Sequence, residues 1–228
     1  MARLPLPSLD ANNQFAWERL YASTSEPVWG SQPVGFLERF LPRADSLVDG
    51  EILDAAAGEG RNLPPLLRLG RPVTACDASP SALAKIPPAV AARVSTVVCG
   101  LGHVPVPGAR FAFALLSDTI ETLPDPEPAL AELRRILAPG GLLLANIPDG
   151  SDGIAGANMR PLNGTGWLYQ ERYFYRFYPR REAEALLAEA GFDIASVAEH
   201  AWHETTHPRF RDGPHLHRSW IFLARRPG

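Results

Sequence analysis

One stretch constrains this chain more than any other: Ile52-Leu53-Asp54-Ala55-Ala56-Ala57-Gly58-Glu59-Gly60-Arg61-Asn62, an apolar run that gives way to small residues and two glycines before a helical segment. A strand that ends in such a turn and feeds a helix belongs at the carboxyl edge of an open α/β sheet, where these sheets bind ligands. Gly58 and Gly60 carry no Cβ, so the backbone turns sharply and a ligand approaches it closely, while the first amides of the following helix lack partners. Nineteen residues after Gly58, Val73-Thr74-Ala75-Cys76-Asp77 ends a second apolar run in a carboxylate, which suits the paired hydroxyls of a ribose. Together the two features predict a nucleoside ligand. A dinucleotide fingerprint wants a third small residue at position 63, where this chain has Leu63, so NAD is disfavoured.

The runs 51–56, 72–77, 94–98, 111–116 and 141–147 read as strands, nearly uninterrupted in apolar residues as parallel strands covered on both faces are. Helical patterns alternate with them. After Pro124-Asp125-Pro126 the sequence predicts a helix with Asp125 capping its first amides and Pro126 at its first position. Leu130, Leu133 and Leu137 form its apolar stripe, Arg134 and Arg135 complement its negative end, and Pro139-Gly140-Gly141 stops it. A second helix is predicted from Arg180 to Ala190, ending at Gly191. Strands Phe192–Val197 and Arg218–Ala224 follow, close enough in sequence to pair antiparallel.

The expected architecture is α/β: a Rossmann-like, doubly wound, mostly parallel seven-stranded sheet with an antiparallel final strand and helices on both faces. One domain, 1–228, is expected. Residues 1–50, with helix-like segments at 15–21 and 34–41, form an N-terminal cap; 51–150 form the ligand-binding core; 151–228 form a lid and the last strands.

At 228 residues and 46% apolar content the chain closes one large core. No run of 18 apolar residues predicts a membrane span. The N-terminus breaks on Pro5 and Pro7 where a signal peptide needs an apolar run, which predicts a cytoplasmic protein. Cys76 and Cys99 lie in apolar stretches and read as buried thiols without a disulfide.

The Leu53-Asp54-x-x-x-Gly58-x-Gly60-Arg61-Asn62 loop, Asp77, and Glu132-Leu133-Arg134-Arg135-Ile136-Leu137-Ala138-Pro139-Gly140-Gly141 resemble, in order and spacing, the successive motifs of class I S-adenosylmethionine-dependent methyltransferases. Arg176-Phe177-Tyr178-Pro179, leading into a helix that ends Ala190-Gly191-Phe192, is similar to the later part of small-molecule members. The resemblance implies S-adenosylmethionine as cofactor, with S-adenosylhomocysteine as product. Gly58 and Gly60 would face its methionine half, Asp54 would shape the loop, Asp77 would hold the ribose, and Ala78 and Ser79 would edge the adenine. Ala55, Ala56, Arg61 and Ser117 complete the implied contacts. Where the family often places a carboxylate after the third strand, this chain has Val98-Cys99-Gly100-Leu101, leaving Gly100 and the Leu101 amide for the adenine. Tyr21 and Trp29 either close over the cofactor or anchor the cap.

A methyltransferase of this kind aligns an acceptor lone pair with an activated methyl group, and a general base is optional. Acceptor-side candidates lie in 150–178 and 199–217. The first stretch holds Trp167, Tyr169, Tyr173, Phe174, Tyr175, Phe177 and Tyr178, which either wall an acceptor pocket or pack the lid. The second holds His200, His203, His207, His215 and His217, suited to proton transfer near neutral pH. Tyr175, His203, His207 and Trp167 are the acceptor-contacting candidates, and no metal is assigned, because the cysteine partners of a structural zinc site are absent. The expected partner is a small-molecule methyl acceptor, the chain a monomer or homodimer. Nucleic acid is disfavoured: the net charge is −3, and Ser117-Asp118-Thr119-Ile120 stands where amino-methylating DNA enzymes carry an Asn/Asp-Pro-Pro-aromatic motif. An RNA or protein methyltransferase and a non-catalytic S-adenosylmethionine-binding regulator are the alternatives.

Overall fold

The structure, a computed structural model, describes residues 6–156, 158–162, 164, 166–207 and 209–228. Its strands are β1 (Glu51–Ala55), β2 (Val73–Asp77), β3 (Ser95–Val98), β4 (Phe111–Leu116), β5 (Leu137–Pro148), β6 (Met159–Pro161), β7 (Trp167–Tyr169), β8 (Tyr173–Tyr175), β9 (Asp193–Glu204) and β10 (His215–Arg225). Its α-helices are α1 (Leu6–Ala22), α2 (Leu37–Phe40), α3 (Leu63–Leu67), α4 (Pro80–Leu83), α5 (Pro88–Ala91), α6 (Glu127–Ile136) and α7 (Arg180–Glu189). The main sheet runs β3-β2-β1-β4-β5-β10-β9, parallel as far as β5, with β10 antiparallel to both its neighbours. This is the predicted Rossmann-like sheet.

Alternation along the strands divides the core in two. Leu53, Ala114, Leu116 and Leu143 pack with Leu130, Leu133 and Ile136 of α6 and with Ala183 and Leu187 of α7. Ile52, Phe113, Leu115 and Leu144 pack with Val34, Phe36 and Leu37 of the cap, Leu63 and Leu66 of α3, and Ile86. A third cluster joins Leu20, Tyr21 and Val28 to Ile154, Tyr169, Tyr173, Tyr175 and Phe210. The cap therefore packs both beneath the sheet and against the segment after β5. No helix among the described residues is long and apolar enough to cross a membrane.

Several local expectations are corrected. Helix α6 starts at Glu127 with Pro126 at its cap position, and no side chain caps it, so Asp125 does not play that role. Pro128 falls in the first turn, where a missing N–H costs nothing. The helix ends at Ile136; Leu137 leaves its stripe, turns extended and pairs with Phe111 as the first residue of β5. Pro139-Gly140-Gly141 is a bulge inside that strand: the register jumps from Phe111↔Leu137 to Phe113↔Leu142, and Gly140 sits at φ +79. The 15–21 segment belongs to a longer α1, and only Leu37–Phe40 of 34–41 is α-helical. Two features were not anticipated. Strands β6, β7 and β8 form a separate antiparallel sheet, and β9 extends to Glu204, which puts His200 and His203 on a strand instead of in a loop.

Candidate functional site

The loop after β1 reverses through three left-handed residues, Ala56 (φ +59), Gly58 (φ +54) and Gly60 (φ +82). The two glycines serve different purposes. A Cβ on Gly58 would meet Tyr21 Oη at 3.3 Å, whereas one on Gly60 would meet Leu63 Cδ1 at 2.8 Å and Ile86 Cγ1 at 3.0 Å. Gly60 thus serves packing beneath the loop, and of the two glycines Gly58 is the one that lines the cleft. The Asp77 carboxylate accepts the Gly58 amide through Oδ2 and the Ser79 amide through Oδ1, both at 2.8 Å. Burial raises the pKa of Asp77 against the opposing effect of these amides.

The cap is fastened to this loop by buried polar contacts. Glu59 Oε2 accepts the amides of Val28 (2.7 Å) and Trp29 (3.2 Å), and Glu59 Oε1 meets Lys85 Nζ at 2.9 Å. Asn62 accepts the Val34 amide at 2.9 Å and donates to Ser117 Oγ at 2.9 Å. Trp29 Nε1–H donates to Tyr21 Oη at 2.8 Å. On α1, Glu18 accepts from the hydroxyls of Ser79 and Ser81, while Asn13 donates to the Thr122 carbonyl and accepts the Phe174 amide.

These elements enclose one continuous cleft of about 1400 Å³ counting its open mouth. Gln14, Gly58, Asp77, Ser79, Gly100 and Leu101 line one end, while Trp17 packs 5.5 Å from Phe210 at the other. Tyr175, Phe210, Asp152, His207, His215 and His217 line the other, and Tyr21, Trp29, Arg61, Ser117 and Asp118 lie on the same wall system. Arg61 spans the floor, pairing with Asp118 at 2.8 Å and Glu204 at 3.2 Å. Asp118, itself left-handed at φ +48, is held by reciprocal hydrogen bonds with Asn146.

The histidine end is ordered. Asp152 is fully buried in its side chain; its Oδ1 accepts the Ile154 amide at 2.9 Å and its Oδ2 the Arg218 amide at 2.7 Å. The same Oδ2 lies 3.0 Å from His217 Nδ1, and His217 Nε2 lies 2.9 Å from His215 Nε2. The His207 ring meets the edges of His215 and Trp29 at centroid distances of 5.2 and 4.9 Å. Burial lowers the pKa of His207 to about 4, assisted by Arg61 and His215, and lowers that of His215 to about 4, assisted by His217. Burial also opposes the charged form of His217, but the Asp152 carboxylate outweighs it and raises that pKa. Glu121 is buried with Oε2 unpartnered, and burial together with Asp118 pushes its pKa well above the usual carboxylate range. Among the described residues no group of three or more His, Cys, Asp or Glu is arranged to hold a metal ion.

Of the residues picked out from sequence, Ala56, Gly58, Arg61, Asp77, Ala78, Ser79, Gly100, Leu101, Ser117, Trp29, Tyr21, Tyr175 and His207 line the cleft. Asp54, Ala55 and Gly60 do not. Asp54 is fully buried on β1, neither carboxylate oxygen has a partner, and burial raises its pKa to about 8, with Asp77 adding to the rise and Arg61 opposing it. His203 and Trp167 also lie outside. Trp202 turns inward on β9, so the next side chain, His203, faces solvent; Trp167 opens β7 and is 39% exposed. Sequence reasoning missed Asp10, Asn13 and Gln14, which precede the helical segment expected at 15–21, and Trp17, which lies within that segment and carries no local sign that it faces a cleft. It also missed Asp152 and Glu121, single acids whose burial leaves no local pattern.

A family described as a methyltransferase domain matches residues 31–197. No curated protein matches the sequence. Among solved structures, one described for the conversion of a disulfide bond into a thioacetal group during echinomycin biosynthesis is 19% identical with TM-score 0.70, covering 94% of this chain and 93% of that one. The Burkholderia thailandensis 1,6-didemethyltoxoflavin-N1-methyltransferase, solved with 1,6-didemethyltoxoflavin and S-adenosylhomocysteine, is 22% identical with TM-score 0.57, covering 96% and 80%. The [4+2]-cyclase SpnF is 16% identical with TM-score 0.64, covering 99% of each chain.

Proposed function

Because the chain belongs to the methyltransferase-domain family, we propose that it transfers the methyl group of S-adenosylmethionine to a small-molecule acceptor, with residues 1–228 acting as one catalytic unit of cap, core and lid. The observation that carries this reading is the single cleft running from the Gly58–Asp77 corner to the aromatic and histidine-lined end under the cap. The residues fit the donor. Gly58 offers bare backbone where a side chain would crowd Tyr21, and Asp77 presents a fixed carboxylate beside it. Asp77 would hold the ribose hydroxyls; Ala78, Ser79, Gly100 and Leu101 would flank the adenine, joined by Gln14 from α1. Ala56, Gly58, Arg61 and Ser117 would surround the methionine half. Asp54 acts from behind the loop, without contact.

When bound, S-adenosylmethionine supplies an electrophilic methyl group. The protein's own task is to orient the acceptor and keep water out: Tyr175, Phe210 and Trp29 provide apolar walls, and the cap stitched down by Glu59 and Asn62 closes over them. Alignment of this sort contributes up to about 7–11 kcal/mol to a displacement. A cleft roofed by α1 and Trp29 favours a compact acceptor over a polymer, and the B. thailandensis enzyme, whose named substrate is a small heterocycle, supports the same class.

Calorimetric titration with S-adenosylhomocysteine, with NAD as control, tests the donor without knowledge of the acceptor. Micromolar binding of the first alone supports the reading; no binding overturns it.

A further inference from the structure

We propose that the acceptor enters the cleft as a small ammonium ion, with the Glu121 carboxylate as its counter-charge and the rings of Trp17, Trp29 and Phe210 as its walls. This deepens the methyltransferase reading above and rests on it.

Glu121 is an acid at the acceptor end of the cleft that the protein leaves unpaired. It sits in the 3-10 turn Ile120–Thr122 that follows β4, lines the cleft and is 4% exposed. Its Oε2 is enclosed without a hydrogen-bond partner, while Oε1, to which no other residue donates, is open. The backbone fixes its position: the Glu121 carbonyl accepts the Arg176 amide at 2.8 Å, which draws the end of β8 alongside and sets Tyr175 near the carboxyl. Tyr175 shows the same pattern. It is 5% exposed and lines the cleft, and its hydroxyl, which makes no hydrogen bond within the protein, opens on that space. Two neighbouring polar groups left open in this way carry a cost that a bound ligand removes.

Charge decides what kind of ligand fits. Glu121 faces Asp118 after β4 and Asp152 after β5, and Tyr175 faces these same three carboxyl groups. The cations that meet this end are committed: Arg61 to Asp118 and Glu204, His217 to Asp152, and Arg176 to Glu182 and the face of Tyr178. Among the described residues none pairs with Glu121. An anionic acceptor would add to the excess of negative charge, whereas an ammonium supplies the missing counter-charge and has N–H donors for both Glu121 and Tyr175. The charge is a handle for recognition, independent of which atom of the acceptor takes the methyl group.

The walls suit the same ion. From Tyr175 the aromatic surface continues through Tyr169, at a centroid distance of 6.2 Å, to Phe210 at a further 5.2 Å. Trp29 and Trp17 stand 5.1 and 5.5 Å from Phe210, and all but Tyr169 line the cleft. Aromatic faces attract cations within about 6 Å of the ring centroid and also receive the carbon skeleton that carries the charge.

Burial and Asp118 push the Glu121 pKa well above the usual carboxylate range, against the opposing effect of its own amide. In the empty cleft the side chain is thus held as the acid for want of a cation. An ammonium reverses this: its charge favours the carboxylate, and the carboxyl proton leaves to solvent as the ion pair forms. The amine keeps its own hydrogens, so the proton released is that of Glu121.

The test is calorimetric titration of the full chain, saturated with S-adenosylhomocysteine, at neutral pH. The probes are 2-phenylethylamine, 2-phenylethanol and 3-phenylpropanoate, which are cationic, uncharged and anionic versions of one shape. The amine is expected to bind at least about tenfold more tightly than the alcohol, as a hydrogen-bonded charge does, and the propanoate not to bind. Glu121→Gln should bring the amine within about threefold of the alcohol while S-adenosylhomocysteine affinity holds. Repeating the amine titration in buffers of different ionisation enthalpy should show net proton release by the wild type and none by the variant. Alcohol or propanoate bound as tightly as the amine, an amine preference or proton release that survives Glu121→Gln, or binding of no probe by the wild type overturns the proposal. A wild type that prefers the amine but does not bind S-adenosylhomocysteine would instead overturn the donor assignment.

Discussion

Asp77 accepts the backbone amide of Gly58 at 2.8 Å, so the carboxylate that ends β2 and the turn that ends β1 are set as one unit. Asp77→Ala removes both the group assigned to the ribose and the brace on the loop. Hydrogen bonds to a charged group are worth about 1.5–3 kcal/mol. Titration calorimetry should show S-adenosylhomocysteine affinity reduced about tenfold or more, with far-ultraviolet dichroism unchanged. Unaltered affinity would remove Asp77 from the site.

Glu59 ties the cap to the loop. Its side chain is 2% exposed and carries Lys85 and two cap amides. Glu59→Ala strands a buried ammonium and leaves the Val28 and Trp29 amides unpaired, and breaking a buried pair costs about 3–5 kcal/mol. Urea unfolding should report a loss near the low end of that range, since Lys85 retains some solvent contact. A loss under about 1 kcal/mol would mean that the cap is held by its other contacts and not by Glu59.

Asp54 should make stability depend on pH. Burial raises its folded pKa to about 8, well above the usual carboxylate range. A raised folded pKa means the folded state keeps the proton longer than the unfolded state. The favourable contribution is complete below the unfolded value and is lost as pH rises through about 8. The stability of Asp54→Asn relative to wild type should therefore increase from pH 4 to pH 8, as read by paired thermal melts; a difference that stays flat over that window would show Asp54 to be ionised throughout.

The two loop glycines should separate stability from binding. Gly60→Ala drives a Cβ into Leu63 and Ile86 at a positive φ, and overpacking of that kind costs about 1–3 kcal/mol. Gly58→Ala meets the Tyr21 hydroxyl instead, so its larger effect should fall on S-adenosylhomocysteine affinity. Chemical denaturation and calorimetry on the two variants check this, and the reverse ranking would exchange the roles given to the two positions.

Much of the fold was legible because its signals are local. The apolar runs of β1, β2, β4 and β5, the stripe Leu130–Leu133, and the closeness in sequence of β9 and β10 each carry their information within a few residues. The errors are equally physical. Asp125 looked like a cap, but the chain enters α6 through Pro126; Pro139-Gly140-Gly141 looked like a stop, but pairing with Phe111 draws Leu137 into β5 and turns the glycines into a bulge. The Gly58–Asp77 corner of the cleft was readable because backbone conformation at Gly58 and strand-end chemistry at Asp77 both leave a mark in sequence.

The acceptor end left no such mark. Asp152 and His217 lie 65 residues apart, and only the insertion of β10 between β5 and β9 brings them to 3.0 Å. The same strand pairing turns His203 out to solvent while the tight His207–Arg211 bridge turns His207 in, a distinction that spacing alone does not make. The sequence by itself determined the sheet, its order of strand and helix, and the glycine loop that lines the cleft, since these follow from hydrophobic period and backbone freedom. The tertiary structure decided which histidines meet, which acids are buried and how the cap closes, because those depend on contacts between segments that carry no information about one another until they are packed.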